Sequence, residues 1–423
     1  MQLVERHIIK RGHTFYDECD SLCFASKNLY NCANYNIRQG FIYGKTYSNY
    51  NLLDKALKQT KEYKSLPAKV AQQVLRVLER NWRSFFAAIA EWRENREKFT
   101  GRPKLPKYKD KQKGRNLVVY TIQAIIKKSL INGIVSPSKT QIKVPTKISP
   151  SQVKEVRIVP GTDCYIIEVI YEKSTNSSLK DNGAIASIDL GLNNLIALTS
   201  NQVGFQPILV NGRPLKSINQ FYNKKKASLQ KKLKRGIKTS KRILRLTRCR
   251  NQKINNYLHH TSQFIVNTLV TNSIKTLVIG KNPGQKQQIN IGKSNNQNFV
   301  NIPHSKLIAQ LTYKCELVGI KVIESEESYT SVSSFLDNDP IPVYGDNNAK
   351  SLEFSGKRIK RGLYRTNTGK LINSDVNGSY NILRKAFPNA FSNGIESCVV
   401  QPRLVTPTKE RRKGKAEMPF MAV

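Results

Sequence analysis

The chain has 423 residues, 39% of them hydrophobic, which is enough for two to four domains with real cores and excludes a disordered protein. Lys and Arg number 71 against 29 Asp and Glu, a formal charge of +42, and a compact fold with that excess repels itself unless an extended polyanion neutralises it. Nucleic acid is the leading partner and an anionic membrane surface the rival. No apolar run approaches bilayer-spanning length and the start MQLVERHIIKRGH lacks a signal-peptide core, so a cytoplasmic, nucleoid-associated protein without a membrane partner is expected.

Residues 1–45 combine a short basic strand with a helical segment carrying Leu22, Phe24, Leu29 and Tyr30. Over 65–95, Val70, Val74, Val77, Leu78, Trp82, Phe85, Ile89 and Trp92 recur at helical spacing after Pro67, with Ser65 as an expected cap and both tryptophans expected in the core. The stretch GRPKLPKYKDKQKGR then breaks the helix with two prolines and forms an extended cationic segment, with Lys104, Lys107, Tyr108 and Lys109 as candidate nucleic-acid contacts. Short strands separated by turns follow over 117–172, consistent with a small β-barrel.

The segment AIASIDLGLNNLIALTS reads as a β-hairpin whose first strand ends at Asp189, a carboxylate that is costly there without a cationic side chain, a cap or a metal ion. From 223 to 250 there are thirteen Lys or Arg and no acid, interrupted by Leu229, Leu233, Ile237, Leu244 and Leu246. That pattern suggests a helical pair with a phosphate-facing side, on which Lys231, Lys232, Lys234, Arg235, Lys241 and Arg242 are the candidate contacts. A helix over 255–270, the strand IKTLVIG, a helix over 303–318 and the strand GIKVIES complete an α/β arrangement.

The seven cysteines, Cys19, Cys23, Cys32, Cys164, Cys249, Cys315 and Cys398, contain no C-x-x-C pair and read as reduced thiols. The acids are more informative. Asp189, the pair Glu326-Glu327 and Asp375 sit where strands end or a helix begins. Asp375 taken alone reads as a helix cap, but three such sites in a strongly basic chain point to a nuclease that holds two Mg²⁺ ions against a phosphate, about 3.5–4 Å apart.

SIDLGLNNLIAL, LVIGKN, EESYTS and DVNGSYNI resemble the RuvC-like domain of the TnpB family, RNA-guided endonucleases of bacterial insertion sequences related to type V CRISPR effectors. The resemblance implies an α/β RNase H-like (RuvC) nuclease domain plus an N-terminal β-barrel wedge domain with an inserted helical recognition domain. It sets expected boundaries: wedge at 1–45 and 101–175, helical domain at 46–100, nuclease at 181–390 with a basic helical segment at 217–270 and an insert at 330–373, and a flexible basic tail at 391–423. Implied partners are a guide RNA from the chain's own locus and target DNA beside a short motif, and the implied cofactor is Mg²⁺, with Mn²⁺ able to substitute.

Two departures matter. The family's second motif usually ends its strand in a glutamate, where this chain has Gly280. A glutamate at the end of the neighbouring strand could reach the same ion, so the catalytic, metal-holding set is Asp189, Glu327 and Asp375, with Glu326 the alternative because adjacent strand residues face opposite ways. The insert contains no cysteine, so no zinc is expected and its fold must rest on other contacts or be loose. A P-loop at Gly292-Lys293-Ser294 fails because position 287 is Gln, and a nuclease-inactive RNA-guided repressor is the rival to an active enzyme.

Overall fold

The computed structural model describes residues 1–44, 48–175, 182–282, 302–345, 352–392, 394–395 and 398–407. The chain divides into two compact units, Met1–Lys173 and Ser174–Val423.

The first unit runs β1 (Gln2–Lys10), α1 (Tyr16–Ile42), α2 (Tyr50–Leu57), α3 (Lys61–Lys64), α4 (Ala68–Glu94), β2 (Val118–Thr121), α5 (Lys127–Ile131), the ladder of β3 (Ile134–Val135) with β4 (Val144–Pro145), and the hairpin of β5 (Val153–Gly161) with β6 (Cys164–Glu172). The main sheet has the order β1-β6-β5-β2, all antiparallel, with Gln2 opposite Glu172 and Lys10 opposite Cys164. Its two ends stay open among the described residues, so the expected barrel is an open sheet. The reason lies in the helices: Cys23, Leu29, Val74, Leu78 and Trp82 share one core with Tyr120, Val156, Ile158, Ile167 and Val169, covering the face that a barrel would close upon itself.

The helical segment expected within residues 1–45 forms as α1 from Tyr16, while two other local expectations shift. Pro67, not Ser65, occupies the N-cap of α4, and Ser65 Oγ donates to the Glu62 carbonyl instead. Trp82 is fully buried and its Nε1 donates to Asn34 Oδ1 at 2.9 Å, whereas Trp92 is only half-buried and carries the Arg96 guanidinium 4.8 Å from its ring centre. A helix of some eight turns buries its apolar stripe only where a partner covers it, and the stripe of α4 ends its full burial at Trp82.

The second unit runs β7 (Ile185–Asp189), β8 (Asn194–Ser200), β9 (Ile208–Asn211), α6 (Arg213–Gln230), α7 (Lys241–Thr271), β10 (Thr276–Gly280), α8 (His304–Leu317), β11 (Lys321–Ser325), the small sheet β12 (Lys357–Lys360), β13 (Leu363–Arg365) and β14 (Leu371–Asn373), then α9 (Ser374–Ala386) and β15 (Arg403–Val405). The large sheet has the order β11-β10-β7-β8-β9-β15. β7, β8 and β9 are antiparallel neighbours, while β10 runs parallel to β7 and β11 parallel to β10. The buried runs in β7 and β10 have apolar side chains on both faces, as a central strand covered on two sides requires.

The basic region is a helical pair, but α7 starts at Lys241, so the helix expected over 255–270 is the second half of a 31-residue element capped by Ser240. The tail is ordered further than expected. β15 pairs in parallel with β9 and buries Val405, and Tyr380 donates to the Val399 carbonyl. An unpaired edge of β9 supplies the hydrogen-bonding groups that fix this short strand. Residues 408–423 and the Gly292-Lys293-Ser294 segment lie outside the described residues.

Candidate active site

Asp189 is the last residue of β7 and sits beside two neighbours in space. Helix α9 crosses the sheet against β7 and β8, fastened by a buried hydroxyl cluster: Ser187 Oγ donates to the Ser379 carbonyl at 2.6 Å, Ser379 Oγ donates to the Ser187 carbonyl at 3.0 Å, and Thr199 Oγ1 lies 2.9 Å from Ser379 Oγ. Gly378 is the point of closest approach. A Cβ there would stand 3.1 Å from Asp189 Oδ2, so glycine lets the helix come against the carboxylate.

Asp375 lies in the first turn of α9 without capping it. Asn373 is the cap, its Oδ1 accepting the N–H groups of Asp375 and Val376 at 3.0 and 3.2 Å, which leaves the Asp375 carboxylate for other work. Asn194 Nδ2, from the start of β8, donates to Asp375 Oδ2 at 2.7 Å. The remaining asparagines of the DVNGSYNI helix are fasteners: Asn377 pairs with the Phe335 N–H and the Ser333 carbonyl, and Asn381 Nδ2 donates to the Thr330 and Ser333 carbonyls.

The consecutive glutamates, which follow the end of β11, meet different partners. Gly280 ends β10 opposite Ser325, the last residue of β11, and Glu327 follows two residues later. A Cβ built on Gly280 would lie 2.7 Å from Glu327 Oε2 and 2.5 Å from Ile382 Cδ1, so the Glu327 carboxylate occupies space that a side chain at 280 would fill. Asn282 Oδ1 accepts the Glu327 N–H at 3.2 Å. Glu326 turns elsewhere, to the Lys385 ammonium at 2.5 Å and the Ser328 N–H at 2.6 Å. Burial would raise its pKa, but the bonds from Lys385 and Ser328 prevail and hold it below the usual carboxylate value.

Asp189, Asp375 and Glu327 therefore meet electrostatically. Burial first, then the charges of Asp375 and Glu327, push the Asp189 pKa up to about 8, against the opposing pull of Arg358 and the Leu190 N–H. Among the described residues, no three His, Cys, Asp or Glu side chains already surround a single point as metal ligands. The donor set is nevertheless that of a hard cation: only carboxylate oxygens, mutually repelling, at one end of a sheet.

Sequence reading missed Asn194, Asn282, Arg358 and Lys385. Asn194 lies five residues after Asp189, at the end of a turn-prone stretch, and carried no signal beyond that, and Arg358 belongs to an insert with no recognisable motif. That insert is held without cysteine. Phe335 stacks on Tyr380 with ring centres 4.4 Å apart, the buried Tyr364 donates to the Val332 carbonyl at 2.7 Å, and Asp339 accepts from Ser334 and Ser355.

The candidate nucleic-acid contacts fall in two places. In the first unit the extended 101–115 segment is tied to α1 by Asn31, Asn34 and Lys27, which donate to the carbonyls of Lys109, Pro106 and Lys111. Lys104, Lys107, Tyr108 and Lys109 remain exposed along it, with Arg38 4.8 Å from the Tyr108 ring centre. In the second unit Lys231, Lys232, Lys234 and Arg235 are exposed in the turn after α6, and Lys241 and Arg242 are exposed at the start of α7. No described helix is long and apolar enough to cross a membrane.

Two family models match the sequence: OrfB_IS605, described as a probable transposase, over residues 168–284, and the Cas12f1-like TNB domain over residues 304–382. No curated protein matches it. Among solved structures, the Cas12f1–sgRNA–target DNA complex aligns with a TM-score of 0.52 at 14% identity, covering 87% of this chain and 82% of that one. Alicyclobacillus acidoterrestris C2c1 with single-guide RNA aligns at a TM-score of 0.40 and 8% identity, over 87% of this chain and 69% of that one. The Cas12f1 alignment supports an α/β fold like that of the nuclease effectors. Asp189 falls inside the first matched segment and Glu327 and Asp375 inside the second, so the models that match the sequence and the motifs that suggested a family converge, and together they support a TnpB-family protein.

Proposed function

We propose that the protein is an RNA-guided, Mg²⁺-dependent DNA endonuclease associated with a transposable element, with Asp189, Glu327 and Asp375 as its metal-holding carboxylates. The observation that carries this reading is the gathering of Asp375 and Glu327 around Asp189, whose proton affinity burial first and then these two charges raise, as in a cluster built to hold a cation. Mg²⁺, or Mn²⁺ in its place, supplies Lewis-acid polarisation of a phosphate and a bound water of lowered pKa. The chain's own residues do the rest. Asn194 orients Asp375, Asn282 holds the backbone of Glu327, and Arg358 contributes positive charge beside the carboxylates.

In this reading the first unit supplies the wedge sheet and the helical recognition segment and reads a short motif in duplex DNA, while pairing with a guide RNA from the same locus reads the target. The exposed cations of 101–115 and 231–242 neutralise phosphates without reading bases. The related Cas12f1 structure contains both sgRNA and target DNA, which supports the same two partners here. Zinc has no part in it.

The test is a plasmid library with randomised flanks beside a target matched to the locus RNA. RNA-dependent cutting in Mg²⁺ that selects a flanking motif supports the proposal, and cutting that ignores flank and RNA sinks it. Gly280, in place of the usual glutamate, favours one alternative, a nuclease-inactive repressor, and RNA-dependent binding of the target with no cutting at any Mg²⁺ concentration would establish that reading instead.

A further inference from the structure

We infer that Lys385 is a positioning residue for the site: it clamps Glu326 and the turn that follows against helix α9, and so decides that Glu327 is the glutamate facing Asp189. The inference rests on the metal-holding role proposed above only where it concerns metal affinity.

Two adjacent glutamates at a strand end pose a problem of choice, since chemically either would serve. Strand alternation would send them to opposite faces, but the pair lies between the end of β11 and the turn that begins at Ser328, where the backbone alone does not fix which is which. The turn is also an unusual one. Tyr329 adopts φ 66°, a left-handed conformation that bulky side chains avoid and that persists only where the surroundings enforce it.

Lys385 provides that enforcement. Its ammonium donates to Glu326 Oε2 at 2.5 Å, to the Ser328 carbonyl at 2.9 Å and to the Pro342 carbonyl at 3.0 Å, which uses all three of its protons. The Ser328 N–H returns to Glu326 Oε1, closing a ring around the turn, while Thr330 Oγ1 holds the Glu327 carbonyl at 2.8 Å. With its side chain 11% exposed against 34% for Glu326, Lys385 is the more enclosed partner, so water competes weakly for its bonds.

Helix α9 makes the clamp effective at a distance. It carries Asp375 in its first turn, Gly378 against Asp189, Ile382 against Gly280, and Lys385 in its last turn. One rigid element therefore sets the positions of Asp375 and, through Lys385, of Glu327. Without the ammonium, Glu326 is left as a partly buried carboxylate without its cation, and the turn is free to present either glutamate.

The experiment compares the guide-RNA complexes of the parent, Lys385→Met, Lys385→Arg, Glu326→Gln, Glu326→Gln with Lys385→Met, and Glu327→Ala. It measures amide hydrogen exchange over 326–332 and the affinity for Mn²⁺ alone. Lys385→Met should speed exchange in that turn and weaken Mn²⁺ by about 10-fold or more, the size expected when an outer support of a ligand is lost. Lys385→Arg should restore most of both, and the double variant should be no worse than Lys385→Met, because each single change already breaks the same pair.

If Glu327→Ala weakens Mn²⁺ binding while Lys385→Met leaves affinity and exchange unchanged, the positioning role is overturned. Losses that add in the double variant would overturn it too. If Glu327→Ala binds Mn²⁺ like the parent, the metal-holding reading fails instead, and exchange alone judges the clamp: loosened in Lys385→Met if it holds, unchanged if it does not. Should Lys385→Met fail to fold, Glu326→Gln keeps the side-chain shape and gives the same two readouts.

Discussion

Asp20 in the first unit and Asp189 in the second are both carboxylates set against a packed sheet, and the two units treat them oppositely. Asp20 receives the Arg115 guanidinium through two bonds of 2.9 and 2.7 Å and the hydroxyl of Tyr165, and the Arg115 bonds, opposed by partial burial and helped by Tyr165, hold its pKa below the usual value. Asp189 is surrounded by Asp375 and Glu327 and its pKa rises to about 8. A carboxylate placed for stability is given a cation by the chain. One left among other acids is held in an arrangement that costs stability, which is what the proposed cation site would require.

The sharpest way to break this comparison is to remove the carboxylates. Asp189→Ala, Glu327→Ala and Asp375→Ala should each lower RNA-guided cleavage by about 10²-fold or more, the loss of several kcal/mol of transition-state stabilisation, with RNA and target binding retained in a filter assay. Asp20→Ala should leave the cleavage chemistry intact and instead destabilise the first unit by roughly 1–2 kcal/mol in denaturant titration, a figure kept small because Asp20 is about one-third exposed. A cleavage loss at Asp20 as large as at Asp189 would erase the distinction.

Next in size is Gly280→Ala. Its Cβ would meet Ile382 Cδ1 at 2.5 Å and Glu327 Oε2 at 2.7 Å, so Glu327 must move, and cleavage should fall by about 10-fold or more on the scale of lost ligand support. Gly280→Glu with Glu327→Ala asks whether the carboxylate can return to the strand end of β10. Recovery above Glu327→Ala alone would show that both positions serve one ion, provided the Ile382 side chain yields the space.

Charge reversal at Lys231, Lys232, Lys234 and Arg235 tests binding separately from chemistry. RNA affinity should fall, and the slope of log affinity against log salt should flatten by about 0.7–0.9 for each phosphate no longer neutralised. Unchanged slope would remove those residues from the interface.

The smallest and most diagnostic effect is on pH dependence in metal-free buffer. Asp189 has a folded pKa raised above its unfolded value of about 3.9, so the stability it contributes is fully present below pH ~4 and is lost as pH rises towards 8. Asp20, with a lowered folded pKa, contributes stability present above pH ~4 and lost as pH falls through its folded value. Thermal melts should therefore flatten between pH 4 and 8 in Asp189→Asn and become less acid-sensitive in Asp20→Asn. Equal pH slopes for parent and Asp189→Asn would show that the acids do not crowd one another.

What the sequence determined by itself was whatever pattern and composition can carry. Strand ends at Asp189 and Ser325, the basic helical pair and the order of the α/β elements follow from local apolar periodicity and turn residues, because each is decided within a dozen residues. The choice of Glu327 over Glu326 could be posed from strand alternation but not decided, since a turn follows β11 and the partner that holds Glu326 lies 59 residues away on α9. The barrel failed for the same reason, because short apolar strands separated by turns suit a barrel and an open sheet alike, and only the packing of α1 and α4 shows which face was already taken. Arg358, Asn194 and the ordered strand Arg403–Val405 were invisible, being ordinary polar or short apolar residues whose meaning arises from what lies across from them. Tertiary structure alone decides such matters, since the energy of a buried charge or an open strand edge depends on neighbours that chain proximity does not specify.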